Sequence, residues 1–225
     1  MKLLVVGSGG REHAVIRKLK ENKEIEKIYC APGNGGISAD AECVDIKATD
    51  KENMVKFAKE NAIDFCVVTP DDPLALGMVD VMEEAGIPCF GPKANAAIIE
   101  ASKAFSKDLM KKYGIPTADY ETFDNEKDAL HYIEEKNTFP IVIKADGLAL
   151  GKGVLICETL DDAKAALREM MVDHVFGLSG NKVVVEEFMT GKEVSVLAFT
   201  DGNVVKPMIS SMDHKRAYDN DEGLN

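Results

Sequence analysis

A glycine-rich loop with a lysine near each end is the segment of this sequence best suited to hold phosphate groups. It runs from Gly147 to Gly153, with Lys144 and Lys152 near its ends. Glycine backbone approaches phosphate oxygens closely, and its N–H groups can donate to them while lysines supply charge. A P-loop is excluded, because only three residues separate Gly147 from Gly151 and a strand-like run follows. A hairpin tip with solvated lysines is the alternative interpretation of this segment alone.

A second glycine-rich turn, Gly7-Ser8-Gly9-Gly10, stands directly before Arg11-Glu12-His13. A strand-to-helix turn of this kind suits a single phosphate, and Arg11 would add a forked donor. A dinucleotide fingerprint requires glycine at the position of Glu12, where helix and strand pack closely. A dinucleotide-dependent oxidoreductase is therefore disfavoured, although a tight turn without a ligand remains an open interpretation.

These loops follow short apolar runs that predict the strands of a parallel sheet. The runs are rich in Val and Ile and bounded by Gly, Pro or Asp: Leu3–Val6, Ile25–Cys30, Phe65–Val68 and Pro88–Phe90. Helices are expected from near Arg11, after Thr49–Asp50 and at Ala75–Ala85. Strands alternating with helices predict an α/β domain whose ligands gather at the carboxyl ends of the strands. The loops at 7–10, 31–36 and 69–73 would all lie at that edge.

The second half of the chain predicts a mostly antiparallel α+β lobe. One long helix is expected at Asn95–Tyr113, ended by Gly114 and Pro116. Asp201-Gly202-Asn203 predicts a hairpin turn. The other expected elements are a strand from Tyr120, helices at Glu126–Lys136 and Asp161–Met171, and strands at Ile141–Lys144, Val154–Cys157, Lys182–Glu187, Glu193–Thr200 and Val204–Lys206.

Composition limits the classes of partner and the compartment. The net charge of −12 argues against electrostatic binding to nucleic acid or to an anionic membrane, although a local basic pocket is allowed. The five cysteines form no CxxC pair and suit buried thiols in a reducing compartment. The apolar N-terminus is too short for a signal peptide or a membrane span. A cytoplasmic protein is expected.

Seven strings, in matching order along the whole chain, resemble the phosphoribosylamine–glycine ligase (glycinamide ribonucleotide synthetase) family of the ATP-grasp superfamily. They are GSGGREHA (7–14), APGNGG (31–36), EASKAFSKDLM (100–110), IPTA (115–118), VIKADGLALGKGV (142–154), VVEEF (184–188) and DHKRAYDNDEGLN (213–225). The resemblance implies a Rossmann-like, pre-ATP-grasp domain at 1–101 that binds phosphoribosylamine. It further implies an incomplete ATP-grasp domain at 102–225, with the ATP-binding lobe at about 120–193.

The resemblance also implies a reaction and its partners. ATP, glycine and 5-phosphoribosylamine would give glycinamide ribonucleotide, ADP and phosphate through a glycyl phosphate, as a step of purine synthesis. Mg²⁺ or Mn²⁺ is expected with protein ligands beyond residue 225, so we expect this chain alone not to be a competent ligase. No nucleic acid or membrane partner is expected, and the protein would be a monomer or weak homodimer. A non-catalytic nucleotide- or phosphosugar-binding module is the alternative.

Residue roles follow from the resemblance. The ATP-binding residues would be Lys103, Lys144, Gly147, Gly151, Lys152, Gly153, Glu186, Glu187, Phe188 and Glu193. The substrate-binding residues would be Gly9, Gly10, Asn34, Gly35, Asp71, Asp213 and Lys215. Lys144, Asp213 and Lys215 would form the catalytic group. Asp71 stands where the family pattern leads us to expect Glu. Glu186 and Glu187 occupy successive strand positions, point to opposite faces and so form no metal site.

Overall fold

The computed structural model describes residues 1–148, 153–212 and 218–219. The chain divides into two compact units, Met1–Phe188 and Met189–Asn225. The first unit contains a parallel and an antiparallel sheet, each covered by helices. No helix in the described ranges is long and apolar enough to cross a membrane.

A parallel sheet forms the N-terminal part of the first unit, as predicted, and it has five strands where four were expected. Its strands are β1 (Lys2–Gly7), β2 (Lys27–Pro32), β3 (Glu42–Cys43), β4 (Phe65–Val68) and β5 (Cys89–Phe90). They are arranged in the order β3-β2-β1-β4-β5. The helices between them are α1 (Gly10–Leu19), α2 (Lys51–Glu60), α3 (Asp71–Ala75) and α4 (Met78–Glu84).

Both faces of this sheet are buried, which explains its unbroken apolar runs. Leu4 and Val6 pack on one face with Met54 and Met82, while Val5 packs on the other with Ile16 and its neighbours. Successive residues of a strand point to opposite faces, so a strand covered on both sides must be apolar throughout. The sheet is thereby held rigidly, and the turns after its strands are placed at one edge.

The structure corrects three predictions in this region and adds one strand. The helix expected at Ala75–Ala85 is two helices, because Gly77 adopts a left-handed conformation (φ +82°) between α3 and α4. Asp71, which was expected in the loop at 69–73, is instead the first residue of α3. The strand expected at Ile25–Cys30 starts and ends two residues later, and the short strand β3 was not predicted.

The prediction of one long helix at Asn95–Tyr113 is also wrong. The segment consists of α5 (Ala94–Ala101) and α6 (Lys103–Tyr113), which are separated at Ser102. Ser102 is extended (φ −134°, ψ 113°), and its hydroxyl accepts a 3.1 Å hydrogen bond from the N–H of Phe105. Serine is a favoured N-cap because its oxygen satisfies an N–H group that the helix leaves unpaired. Ser102 therefore starts a new helix instead of continuing the old one.

The antiparallel lobe is confirmed. Its strands are arranged in the order β6-β9-β7-β8, and all neighbours are antiparallel. One face packs against the helices through residues such as Ile143, Val185 and Ile133. The helix expected to reach Met171 ends at Leu167 and passes into a π-helical turn, Arg168–Val172. The elements are β6 (Tyr120–Phe123), α7 (Glu126–Lys136), β7 (Ile141–Ala145), β8 (Val154–Cys157), α8 (Leu160–Leu167) and β9 (Val183–Glu187).

The second unit contains a short hairpin, β10 (Ala198–Thr200) paired with β11 (Val205–Pro207). The hairpin turn is confirmed, and Asp201 Oδ1 accepts hydrogen bonds from the N–H groups of Asn203 (2.9 Å) and Val204 (2.8 Å). The strand expected from Glu193 is shorter than predicted, since only an isolated bridge at Ser195 precedes β10.

Candidate active site

A cavity of about 1060 Å³ lies within the first unit, and segments from both of its sheets line it. The parallel-sheet side is formed by the turns after β1 and β4 together with Ala48 and Thr49. The opposite side is formed by Ile99, Glu100, Lys103, Ser106, Lys107, Met110, Lys144, Leu148, Val154, Val184 and Glu186. Two groups of residues that lie far apart in the sequence therefore face one space.

Glu186 lies at the centre of an ion-pair cluster that holds Lys144. The Lys144 ammonium pairs with Oε1 of Glu186, and Lys107 Nζ lies 2.5 Å from Oε2 of the same carboxylate. Glu186 is only 5% exposed and Lys107 is 8% exposed. β7 and β9 bring Lys144 and Glu186 to one face, because alternate residues of both strands face the helices instead. Lys144 thus has a fixed position from which its charge faces the cavity.

Lys107 is a site residue that the sequence analysis missed. Its ammonium also donates to Thr117 Oγ1 (2.8 Å) and to the carbonyl of Ala118 (3.2 Å). Lys107 lies one helical turn beyond Lys103 in α6, and residues four apart share one helix face. This spacing could have placed Lys107 on the helix face of Lys103, but its pairing with Glu186 depends on the packing of α6 against β9.

Asp146 connects the helix of Lys103 with the strand of Lys144. Its Oδ1 accepts from the N–H of Ala104 (2.7 Å), and its carboxylate also accepts from the Ser102 hydroxyl (3.1 Å). Lys103 in turn donates from its backbone N–H to the carbonyl of Asp146 (3.1 Å) and from its ammonium to the carbonyl of Gly147 (2.9 Å). The two lysines implied to bind phosphate are therefore held by one set of bonds.

Burial lowers the pKa of Lys103 from its ordinary value of 10.5, while the carboxylates of Asp146 and Glu100 raise it and Lys144 lowers it further. Removing a cation from water disfavours its charged form, and a second cation nearby has the same effect. An incoming anion would reverse both effects. The cluster is therefore suited to stabilise polyphosphate or carboxylate groups.

At the other end of the cavity, α1 begins at Gly10 directly after the first glycine-rich turn. The N–H of Gly9 donates to the Glu12 carboxylate over 2.6 Å. In a dinucleotide-binding turn the backbone must approach a pyrophosphate closely. Here the Gly9 N–H is engaged by the buried Glu12 carboxylate and is not free for a pyrophosphate, which adds a physical reason against the dinucleotide interpretation.

The loop after β2 is held to this turn by Asn34. Its amide donates to the carbonyl of Ser8 (2.7 Å), and its Oδ1 accepts from the N–H groups of Gly36 (2.8 Å) and Ile37 (2.9 Å). The residues that line the cavity include Gly9, Gly10 and Asp71 but not Asn34 or Gly35. The side chain of Asn34 thus shapes the loop, and a substrate contact by Asn34 or Gly35 stays a prediction.

The remaining predicted site residues, for ATP, substrate or catalysis, are placed differently from one another. Gly151, Lys152, Asp213 and Lys215 lie outside the described residues. Gly153 stands at the start of β8, and its carbonyl accepts from the N–H of Ala145 (2.8 Å). Glu187 is exposed on the face opposite to Glu186, as alternation requires. Phe188 ends the first unit and Glu193 lies in the second.

Within residues 1–148, 153–212 and 218–219, no group of three or more His, Cys, Asp or Glu side chains is arranged to hold a metal ion. Two acidic residues of the cavity have described partners, Glu186 in lysines and Glu12 in the Gly9 N–H.

Comparison with known proteins relates both halves of the chain to one family. Residues 1–100 match the model of the phosphoribosylglycinamide synthetase N domain, and residues 101–225 match that of its ATP-grasp (A) domain. Curated proteins named phosphoribosylamine--glycine ligase are 52% identical in Listeria innocua and 48% identical in Clostridium acetobutylicum. Each match covers 100% of this chain and 54% of the relative, so the chain spans about half the length of these relatives.

Solved structures agree with this relation. The crystal structure of phosphoribosylamine--glycine ligase from Thermotoga maritima has a TM-score of 0.83 at 30% identity, covering 100% of this chain and 53% of that one. The biotin carboxylase–β-γ-ATP complex from Campylobacter jejuni has a TM-score of 0.73 at 16% identity over 89% of this chain and 48% of that one, a likeness of fold alone. Because the two family models together match all 225 residues, this chain belongs to the phosphoribosylglycinamide synthetase family.

Proposed function

We propose that this chain forms the ATP- and phosphoribosylamine-binding part of a ligase that joins glycine to 5-phosphoribosylamine in purine synthesis. The observation that carries the proposal is the single cavity lined by Lys103 and Lys144 on one side and by the Gly7–Gly10 turn on the other. Lysine ammonium groups suit a triphosphate, and a turn at a helix N-terminus suits a sugar phosphate. Matches to the named ligases over the whole chain support the same reaction.

The reaction that we propose has two steps. A carboxylate oxygen of glycine attacks the γ-phosphorus of ATP, the bond to the β-phosphate oxygen breaks, and ADP leaves. The amine nitrogen of phosphoribosylamine then attacks the acyl carbon of glycyl phosphate, so that the C–N bond forms, the C–O bond to phosphate breaks and the amine loses a proton. Both steps gather negative charge at one place, and fixed cations there stabilise it.

Lys103 and Lys144 carry that electrostatic role in the proposal. Both are anchored, Lys144 by Glu186 and Lys103 by the carbonyl of Gly147. Their charges therefore need little reorganisation when ATP binds, which is the condition for effective electrostatic catalysis. Val154 and Val184 line the same side of the cavity and would pack against an adenine ring, with Glu186–Phe188 as the hinge beside it.

Arg11, Gly10 and Asp71 recognise phosphoribosylamine in the proposal. Arg11 and the first N–H groups of α1 would bind its phosphate. Asp71 lines the same part of the cavity and would accept hydrogen bonds from its ribose hydroxyls or amine. Magnesium, the roles of Asp213 and Lys215, a cytoplasmic location and a monomer or weak homodimer remain predictions.

The test is a binding and turnover experiment on the same preparation. Calorimetry should detect binding of ATP and of ribose 5-phosphate to the parent chain. Lys144→Ala should reduce the affinity for ATP at least about tenfold. Lys164→Ala is the matched control, because Lys164 lies on α8 and is paired with Glu134 at the surface. ADP release is then measured with magnesium, ATP, glycine and phosphoribosylamine, omitting each in turn.

ADP release that requires both glycine and the amine would establish the ligase reaction. Binding of both ligands without such release is the result expected of this chain alone, which spans about half the length of its relatives. The same result in a chain lengthened to match those relatives would favour the non-catalytic binding module. Binding of neither ligand would contradict both interpretations of this cavity.

A further inference from the structure

Glu12 joins the two turns that line the phosphosugar end of the cavity. Its Oε2 accepts the 2.6 Å hydrogen bond from Gly9, and its Oε1 accepts a 2.9 Å hydrogen bond from the hydroxyl of Thr69. Thr69 follows β4 and stands 57 residues away in the sequence. One carboxylate thus bonds the turn after β1 to the turn after β4.

Glu12 is 6% exposed, and both of its described hydrogen-bond donors are neutral. A buried carboxylate is costly unless it is hydrogen-bonded, and bonds to a charged acceptor are stronger than neutral ones. Glu12 also lies in the first turn of α1, where the helix dipole stabilises its negative charge. Loss of either donor would leave an unsatisfied charge in the interior, so the two turns are held together more firmly than by a neutral contact.

Packing around Gly7 enforces the same arrangement. Gly7 has a φ of +131°, and a Cβ at this position would come within 2.7 Å of Glu12 Cγ and 2.8 Å of Pro70 Cγ. The backbone of one turn is therefore enclosed between the Glu12 side chain and the first residues of the other turn. No side chain fits between them, and the distance between the turns is set by direct contact.

We propose that Glu12 is a positioning residue that sets the separation of the Gly7–Gly10 and Thr69–Asp72 turns, and through it the affinity for the sugar phosphate. The assignment of that ligand rests on the proposed function, whereas the bond between the turns does not. Thr69 is the partner residue in the second turn, because its hydroxyl donates the hydrogen bond to the Glu12 carboxylate. Arg11, Gly10 and Asp71 then meet the ligand at a fixed spacing.

The experiment compares Thr69→Val, which removes the hydroxyl at nearly constant shape, with Thr69→Ser, which keeps it. Ribose 5-phosphate is the probe, and ATP affinity is the internal control. Thr69→Val should weaken ribose 5-phosphate binding about tenfold, the usual effect of one hydrogen bond to a charged group, while leaving ATP affinity unchanged. Thr69→Ser should restore binding. Glu12→Gln keeps an acceptor for the Gly9 N–H, so its ribose 5-phosphate affinity should lie between those of Thr69→Val and Thr69→Ser.

A second readout needs no ligand. Exchange of the Gly9 amide hydrogen, followed by NMR, should be faster in Thr69→Val than in the parent chain and in Thr69→Ser. Unchanged exchange in Thr69→Val would overturn the link between the turns. Faster exchange with unchanged ribose 5-phosphate affinity would overturn the positioning role. If the parent chain binds no ribose 5-phosphate, the phosphosugar assignment fails, and amide exchange alone decides whether Glu12 joins the turns.

Discussion

The Asp146 carboxylate accepts a 2.7 Å hydrogen bond from the backbone N–H of Ala104. Since Asp146 directly follows β7 and Ala104 lies at the start of α6, this bond joins the strand to the helix. Lys144 lies two residues before Asp146, and Lys103 directly precedes Ala104. The two lysines therefore keep a fixed spacing although 41 positions separate them in the sequence (144 − 103). A carboxylate at a helix N-terminus is also favoured by the helix dipole.

Asp146→Ala should weaken ATP binding about tenfold while both lysines remain in place, since the lost bond was made to a charged acceptor. The free energy of unfolding should fall by about 1 kcal/mol, because the start of α6 loses an acceptor. Calorimetry and urea unfolding would measure the two effects. Asp146→Asn is the control, as its amide oxygen can still accept from Ala104. ATP affinity equal to that of the parent chain in Asp146→Ala would show that the spacing of the lysines is held by other contacts.

Lys107→Met should destabilise the chain by about 3 kcal/mol, because it leaves the 5% exposed Glu186 carboxylate with one cation instead of two. The double variant Lys107→Met with Glu186→Gln should recover part of this loss, since the buried charge is then removed. Urea unfolding is the measurement. Lys112→Met, on the exposed face of the same helix, should change stability by less than about 0.5 kcal/mol. A Lys107→Met variant as stable as this control would contradict the buried ion pair.

ATP binding should take up protons in alkaline solution through Lys103. Burial lowers the pKa of its ammonium, so the folded state holds this proton less firmly than the unfolded chain. Stability should therefore gain as pH rises through the lowered pKa towards 10.5, where the unfolded chain also loses the proton. A bound triphosphate would raise the pKa again and draw in a proton.

Titration calorimetry in buffers of different ionisation enthalpy would measure that uptake, which should be larger in alkaline buffer than at neutral pH. Lys103→Arg keeps a cation but does not titrate in this range. Proton uptake of the same size in Lys103→Arg would assign the titration to another group.

The cysteines should react with iodoacetamide at very different rates near neutral pH. Burial raises the pKa of Cys30 to about 12 and that of Cys157 to about 11, and both thiols are inaccessible. Cys43 is exposed. The thiolate is the reacting form, so Cys43 should be alkylated first and Cys30 only after unfolding. Peptide mass spectrometry over time would follow each site, and Cys43→Ser should remove the fast phase. Early modification of Cys30 in folded protein would contradict its burial.

The sequence by itself determined the class of fold and the positions of most strands. Short apolar runs between Gly, Pro and Asp identify β1, β4, β7, β8 and β9 closely, because the signals that start and stop a buried strand are local. The comparisons confirm the family resemblance, and the shared ATP site that it implies for Lys103 and Lys144 stays a prediction, although both residues line the cavity.

Only the tertiary structure decided how those residues are held. The hydroxyl of Ser102, where the helix breaks, donates to the Asp146 carboxylate, which is 44 residues away. The Glu12 carboxylate, which joins the two turns, accepts from Thr69, which is 57 residues away. Lys107 and Glu186 meet because α6 and β9 pack together, not because of any local pattern. Bonds between such distant groups follow from how the sheets and helices pack. Helical periodicity around Ser102 predicted one helix, but the Ser102 N-cap and the Asp146 carboxylate, which follows β7, begin a new helix at Lys103.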